Sequence, residues 1–177
     1  MKVLGDVVPT TRGGRLLGAH VAYSRNVSND LAEKRVSRGI VVAERVRWAP
    51  LPMHVRARLL SSLVLPASLY GSCVGGLRND LMNTLTSAIM RATWGTKRKL
   101  RCREIVLTLF VQGHLVDPRQ AYIYQSLCIL RRFLKRHEDL RELVRRVWQS
   151  YAIIGSSTPA PGPVGIVRSH LQKLGWT

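Results

Sequence analysis

The sequence predicts a mainly α-helical chain with a short N-terminal β-hairpin, five or six helices in a bundle, and a flexible C-terminal tail. Three observations carry that reading. Apolar residues recur at three- and four-residue spacing from about residue 30 to 148. Strand-like residues around a glycine pair are confined to the first 23 positions. Residues 155–165 are almost entirely Gly, Ser, Thr, Pro and Ala, a composition that packs poorly and stays extended. The chain divides accordingly into a hairpin (1–24), a helical part (25–150) and a linker with a short amphipathic tail (151–177).

Each element has a local cause. Val3, Leu4, Val7 and Val8 form a first strand, Gly13-Gly14 supplies the turn, and residues 15–23 return. Ser28 or Asn29 caps a helix over about 30–47, in which Ala32, Val36, Ile40, Ala43 and Val46 share one face. Pro50 and Pro52 end it, and Pro52 is placed to open the next helix, which Pro66 stops or kinks near Leu65. A short segment (67–73) leads to Gly75-Gly76. A third helix then covers 78–94, with Leu77, Leu81, Leu85, Ala88, Ile89 and Ala92 inward. A basic loop (95–101) precedes a helix at about 102–112. Pro118 opens a long helix to 136 with Ile123, Leu127, Leu130 and Leu134 as its apolar stripe. After a break at His137-Glu138-Asp139, a further helix runs to Trp148, and a short amphipathic piece lies at 166–176.

The composition narrows the partner. Of the 177 residues, 28 are Lys or Arg and 10 are Asp or Glu, a formal net charge of +18. A body so charged repels itself unless an anion screens it, and nucleic acid is the usual anion. Arg supplies 22 of these cations and Lys 6; the planar guanidinium fork grips phosphate in two places. Cys73, Cys102 and Cys128 have no metal-ligand spacing and form no evident disulfide framework. The stretch 59–77 lacks charge and approaches the length of a membrane span, yet Pro66, Gly71, Gly75 and Gly76 favour a broken, buried helix, so no membrane partner is expected.

Catalytic patterns are missing from the sequence. The five aspartates, Asp6, Asp30, Asp80, Asp117 and Asp139, are scattered, and the lone acidic pair Glu138-Asp139 sits where it would cap a helix. The five histidines have no second ligand at a helical offset, and no Gly-rich phosphate loop occurs. Ser61, Ser62 and Cys73 read as small core residues rather than nucleophiles. No catalytic residue, metal site or cofactor is expected in this chain.

Basic clusters are the positive signal. Lys34, Arg38 and Arg45 lie close in angle on one helix. Lys97, Arg98 and Lys99 crowd a loop, and Arg132 and Arg136 share a side of the long helix beside Arg131 and Lys135. One such cluster is what any solvated helix face looks like. Three of them with so few acids point to contact with phosphates. Trp48, Trp94, Tyr122, Tyr124 and Trp148 lie near these clusters. Aromatics there can stack on bases, although at helical spacing they more often fill a core.

Three stretches carry a family resemblance. Arg15-Leu16-Leu17-Gly18, followed by an Arg-rich helix, resembles a reverse transcriptase just past its palm. Residues 59–71, ending Leu65-Pro66-Ala67-Ser68-Leu69-Tyr70-Gly71, resemble the corresponding stretch of non-LTR (LINE-type) retrotransposon reverse transcriptases. Residues 85–95 are similar to the helix that follows there. The resemblance implies that Leu16, Leu17 and Gly18 correspond to the primer grip and that the helices form a thumb, which clasps an RNA–DNA hybrid or duplex by its backbone. It implies a complete enzyme that uses magnesium on palm aspartates, and a nuclear or cytoplasmic location. This sequence holds no Tyr-x-Asp-Asp run. The expectation is therefore a fragment with the grip and clasp of an RNA-directed DNA polymerase, inactive without a palm. The competing expectation is a decayed retroelement product, or a basic helical interaction protein with no activity of its own.

Overall fold

A computed structural model describes residues 2–3, 6–7, 13–16, 19–22, 30–95, 102–110, 113–154 and 162–176. The described chain is mainly helical. Helix α1 is Asp30–Trp48. Helix α2 is a continuous run of three segments: α-helix Met53–Leu59, a π-helical turn Leu60–Val64, and α-helix Leu65–Leu69. Then come α3 (Ser72–Gly75), α4 (Asn79–Trp94), α5 (Arg103–Ile105, continued by the π turn Val106–Phe110) and α6 (Gly113–Val116). Helices α7 (Pro118–Arg136), α8 (Asp139–Ile154) and α9 (Gly162–Lys173) complete the chain.

The expected single hairpin, pairing residues 3–8 with 15–23, is not found. Among the described residues the strand pairs are two separate local ladders, Lys2–Val3 (β1) with Asp6–Val7 (β2) and Gly13–Leu16 (β3) with Ala19–Ala22 (β4). Each is antiparallel and closes on its nearest neighbour, which costs less chain entropy than the longer loop. The Gly13-Gly14 pair, read as the turn, lies within β3 opposite Ala22 and Val21.

The core lies where α1 and α2 meet α4, with α7 packed on α2, α3 and α4. Val36 and Ala43 of α1, Leu60, Val64, Leu65 and Leu69 of α2, and Leu85, Ala88, Ile89 and Ala92 of α4 are buried together. The faces read for α1 and α4 are therefore those that pack. Met82, Thr86, Met90 and Thr93 are buried as well, so α4 is surrounded over a wide arc. Thr86 and Thr93 meet that burial by donating to the carbonyls of Met82 and Ile89, 2.7 and 3.0 Å away. On α7 the inward face is shifted. Pro118, Tyr122 and Ser126 are buried, whereas Ile123, Leu127, Leu130 and Leu134 are only half-buried.

Within α2 the wide turn sits just before Pro66. The backbone N–H of Leu65 bonds back five residues to Leu60 O, and Ser61 Oγ and Ser62 Oγ each donate to Arg58 O at 2.9 Å. These hydroxyls thus serve a helix carbonyl. α1 crosses α2 at Gly39, which is buried. A Cβ built there would lie 1.9 Å from Ser68 Oγ and 3.2 Å from Ser68 Cβ. Gly39→Ala is expected to destabilise the fold by roughly 1–3 kcal/mol through overpacking. Adding Ser68→Ala should recover part of that loss, because it removes the closer atom. A urea double-mutant cycle showing simple additivity would contradict this crossing.

The C-terminal tail corrects the sequence reading. Residues 155–161 fall outside the described part. Beyond them α9 is a docked helix, packed on α3, α7 and α8, with Val167 and His170 buried. Its amphipathic length finds a groove, and burial fixes what composition suggested was loose. His170 lies edge-on to Tyr122, ring centroids 4.6 Å apart, and burial pushes its pKa below the ordinary imidazole value. The groups around it are Tyr122 and Arg119 of α7, Lys173 of its own helix, and Cys73 of α3, which interacts with the Tyr122 phenol. The Tyr122 and Cys73 pKa values are themselves raised by burial, and among the described residues that line the cleft beside His170 none is a carboxylate. The unfolded chain therefore binds more protons in this window. The His170 contribution to stability is full above about pH 6.5 and is lost as pH falls through the depressed folded value. The melting temperature should fall between pH 7.5 and 5.5, and His170→Phe should flatten that slope.

Candidate nucleic-acid interface

Lys34, Arg38 and Arg45 are all exposed on α1, on the side opposite its buried residues. At 100° per residue they fall within an arc of about 40°, and Val41 and Trp48 extend the same stripe to about 80°. From Lys34 to Trp48 the stripe runs roughly 21 Å along the helix. Trp48 is 76% exposed at its end, with the Arg47 guanidinium 4.7 Å from its ring centroid. Spacing alone leaned toward a core role for Trp48. Its place on the cationic stripe, fourteen residues after Lys34, was the signal to the contrary.

Where the acids sit explains why these cations stay available. Glu44 pairs with Arg47 at 3.0 Å and with Arg91 at 3.5 Å. Glu33 pairs with Arg78 at 3.0 Å, and Asp80 closes onto the same guanidinium, which holds its carboxyl down at about 2. Glu142 binds Arg145 and Arg146 on its own helix, Glu138, just before that helix, binds Arg141, and Asp117 caps α7 by accepting from the Arg119 N–H at 2.9 Å. Among the described residues no ion pair reaches Lys34, Arg38, Arg45, Arg132 or Arg136.

These cations differ in how far the fold itself accounts for them. Lys135 and Arg136 lie in the last turn of α7, and Arg45 and Arg47 in the last turn of α1, where a positive charge favours the helix dipole. Lys34 and Arg38 have no such role. Lys34 even sits near the N-terminal end, beside the favourable acids Asp30 and Glu33. α1 and α7 both pack on α2 and α4, so the two basic faces belong to one body. Lys97, Arg98, Lys99, Leu17 and Gly18 lie outside the described residues, and Leu16 is the last residue of β3.

The Leu69-Tyr70-Gly71 turn joins the second ladder to the bundle. Gly71 adopts φ +76°, and a Cβ there would lie 3.1 Å from Ala19 Cβ on β4 and 3.2 Å from Arg35 Nη1. Arg35 donates to Tyr70 O at 2.7 Å and lies 4.9 Å from the Tyr70 ring centroid. Of the other aromatics, Tyr122 is buried, Trp94 and Trp148 are half-buried, and Tyr124 is 70% exposed beside Arg131 and Arg132.

Among the described residues no group of three His, Cys, Asp or Glu side chains could hold a metal ion, so no step is derived through the magnesium that the resemblance implies for a complete enzyme. No helix there is long and apolar enough to cross a membrane; the 59–77 stretch is divided among α2, α3 and the turns beside them. No protein-family model, curated protein or solved structure matches the chain.

Proposed function

We propose that this chain binds nucleic acid by its backbone, without choosing sequence, and that its preferred partner is a duplex or RNA–DNA hybrid. The observation that supports this most directly is the α1 stripe: three exposed cations on one face, with Glu33 and Glu44 of the same helix paired to Arg78, Arg47 and Arg91. Phosphates are a regular array of anions that such a face can neutralise, with release of counterions. The stripe carries cations with no Asn or Gln amide among Lys34, Arg38, Val41, Arg45 and Trp48, and charge on phosphate is the same for every sequence, so affinity without sequence preference is the expected behaviour.

Within this reading the chain acts as the thumb of a non-LTR reverse transcriptase, with the β3–β4 ladder as its primer-grip counterpart and catalysis supplied by a palm. The contact of Gly71 with Ala19 lends support, since it sets the 59–71 stretch against the residue that follows Gly18. The test is binding of the purified chain to a labelled RNA–DNA hybrid across 50–300 mM salt. Affinity is expected to fall by orders of magnitude on a straight log–log line, equally for unrelated sequences. Absent or salt-insensitive binding by a folded chain would refute the proposal.

A further inference from the structure

A second site lies away from the α1 stripe, in the cleft between the docked helix α9 and the first turns of α4 and α7. Its volume is about 790 Å³, within the range of small-molecule sites. Three features distinguish it from a packing gap. Arg119, from α7, and Lys173, from α9, both line it, and no carboxylate does among the described residues. Asn79 and Arg119 bring polar side chains to it from the first turns of α4 and α7, whose own acids are Asp80 and the cap Asp117. His170, which also lines the cleft, is 5% exposed, and neither of its ring nitrogens has a hydrogen-bond partner.

That last feature is the independent one. Buried polar atoms are nearly always paired, so an imidazole on a cleft wall with no protein partner for either nitrogen points to a hydrogen-bonding ligand. The rest of the lining narrows the class. The two cations, Arg119 and Lys173, select an anion of concentrated charge. The amides of Asn79 and Asn83 and the hydroxyl of Ser169 offer directional contacts, with Asn83 Oδ1 already held by Arg119 Nη2 at 2.5 Å. Met82, Ile123 and Ile166 form an apolar wall for the body of the molecule.

We infer that this cleft binds a phosphate monoester with an organic body of about mononucleotide size, the phosphate lying between Arg119 and Lys173 and His170 contacting the ligand. The cleft exists only while α9 is docked, so the ligand would also hold α9 in place. This inference is independent of the α1 stripe.

The probes are AMP, ribose 5-phosphate and adenosine, titrated calorimetrically into the full chain at 150 mM NaCl. AMP and ribose 5-phosphate are expected to bind saturably at one per chain, and adenosine at least tenfold more weakly. Arg119→Gln and Lys173→Gln should each weaken AMP at least fivefold while the chain still melts cooperatively in its absence. Arg145→Gln, which removes a charge outside the cleft, should leave AMP binding intact. NMR titration should show the His170 ring pKa rising when AMP is bound. A 5′-phosphorylated tetranucleotide then separates a free mononucleotide from a strand end: binding as tight as AMP assigns the strand end, and much weaker binding assigns the free ester. No saturable binding by a folded chain would overturn the inference, as would AMP binding that survives both cleft variants or is equally weakened by Arg145→Gln.

Discussion

Replacing Lys34, Arg38 and Arg45 together by Gln is expected to lower the salt slope of hybrid binding by about three and to weaken binding at 0.1 M salt by roughly 500-fold. The estimate follows from counterion release. Each neutralised phosphate contributes about 0.9 to the log–log slope, which relative to 1 M salt is about an eightfold gain per contact at 0.1 M. Three independent contacts multiply. Stability should hardly change, because all three side chains are exposed and none has an ion pair among the described residues. Arg45 is the partial exception, since it lies in the last turn of α1 and its loss costs a few tenths of a kcal/mol of dipole stabilisation. An unchanged slope in a folded triple variant would move the interface off α1 and leave Arg132 and Arg136 as the next cations to test.

Leu85→Ala should be the most damaging single truncation, with a loss of about 3–5 kcal/mol. Leu85 is fully buried on α4, the helix on which α1, α2 and α7 all pack. Truncation there removes contacts on several sides at once, and a site so enclosed cannot collapse to fill the cavity. At 2–4 °C per kcal/mol for a chain of this size, the melting temperature should drop by roughly 10 °C. Leu143→Ala is the contrast. Leu143 is 55% exposed on α8 and should cost no more than about 0.5 kcal/mol. Equal losses at the two positions would mean that α8 packs far more tightly than its exposure indicates.

Periodicity made much of this legible before any coordinates. Ala32, Val36, Ala43 and Val46 repeat cleanly on α1, as do Leu85, Ala88, Ile89 and Ala92 on α4, because each of these helices buries one continuous face. α7 misled because its best apolar stripe, Ile123 to Leu134, is the half-covered side. Tyr122 and Ser126, which look polar in sequence, pack inward and find backbone partners at Ser72 O and Tyr122 O. The docking of α9 was hidden for a related reason. A twelve-residue helix beyond a Gly/Pro linker carries no mark of the groove that will receive it, and that groove is made by α3 and α7, far away in sequence. Of the candidate interface, the shared exposed face of the three α1 cations could be read from charge and angle. The acids that bind other arginines could not, since Glu33 and Arg78 are 45 residues apart.

The wide turn in α2 has a further effect, on azimuth. A π turn holds one residue more than the rise of an α turn requires, so everything after Val64 arrives about 100° later around the axis than unbroken winding would bring it. Leu65 and Leu69 face the core in that slipped phase, and Gly71, against which Ala19 and Arg35 rest, follows two residues on. The bearing from which the N-terminal ladder meets the bundle is thus set by a single surplus residue some distance upstream. A deletion of one residue within Leu60–Val64 would act as a rotation of the ladder's docking site, with almost no change in helix length.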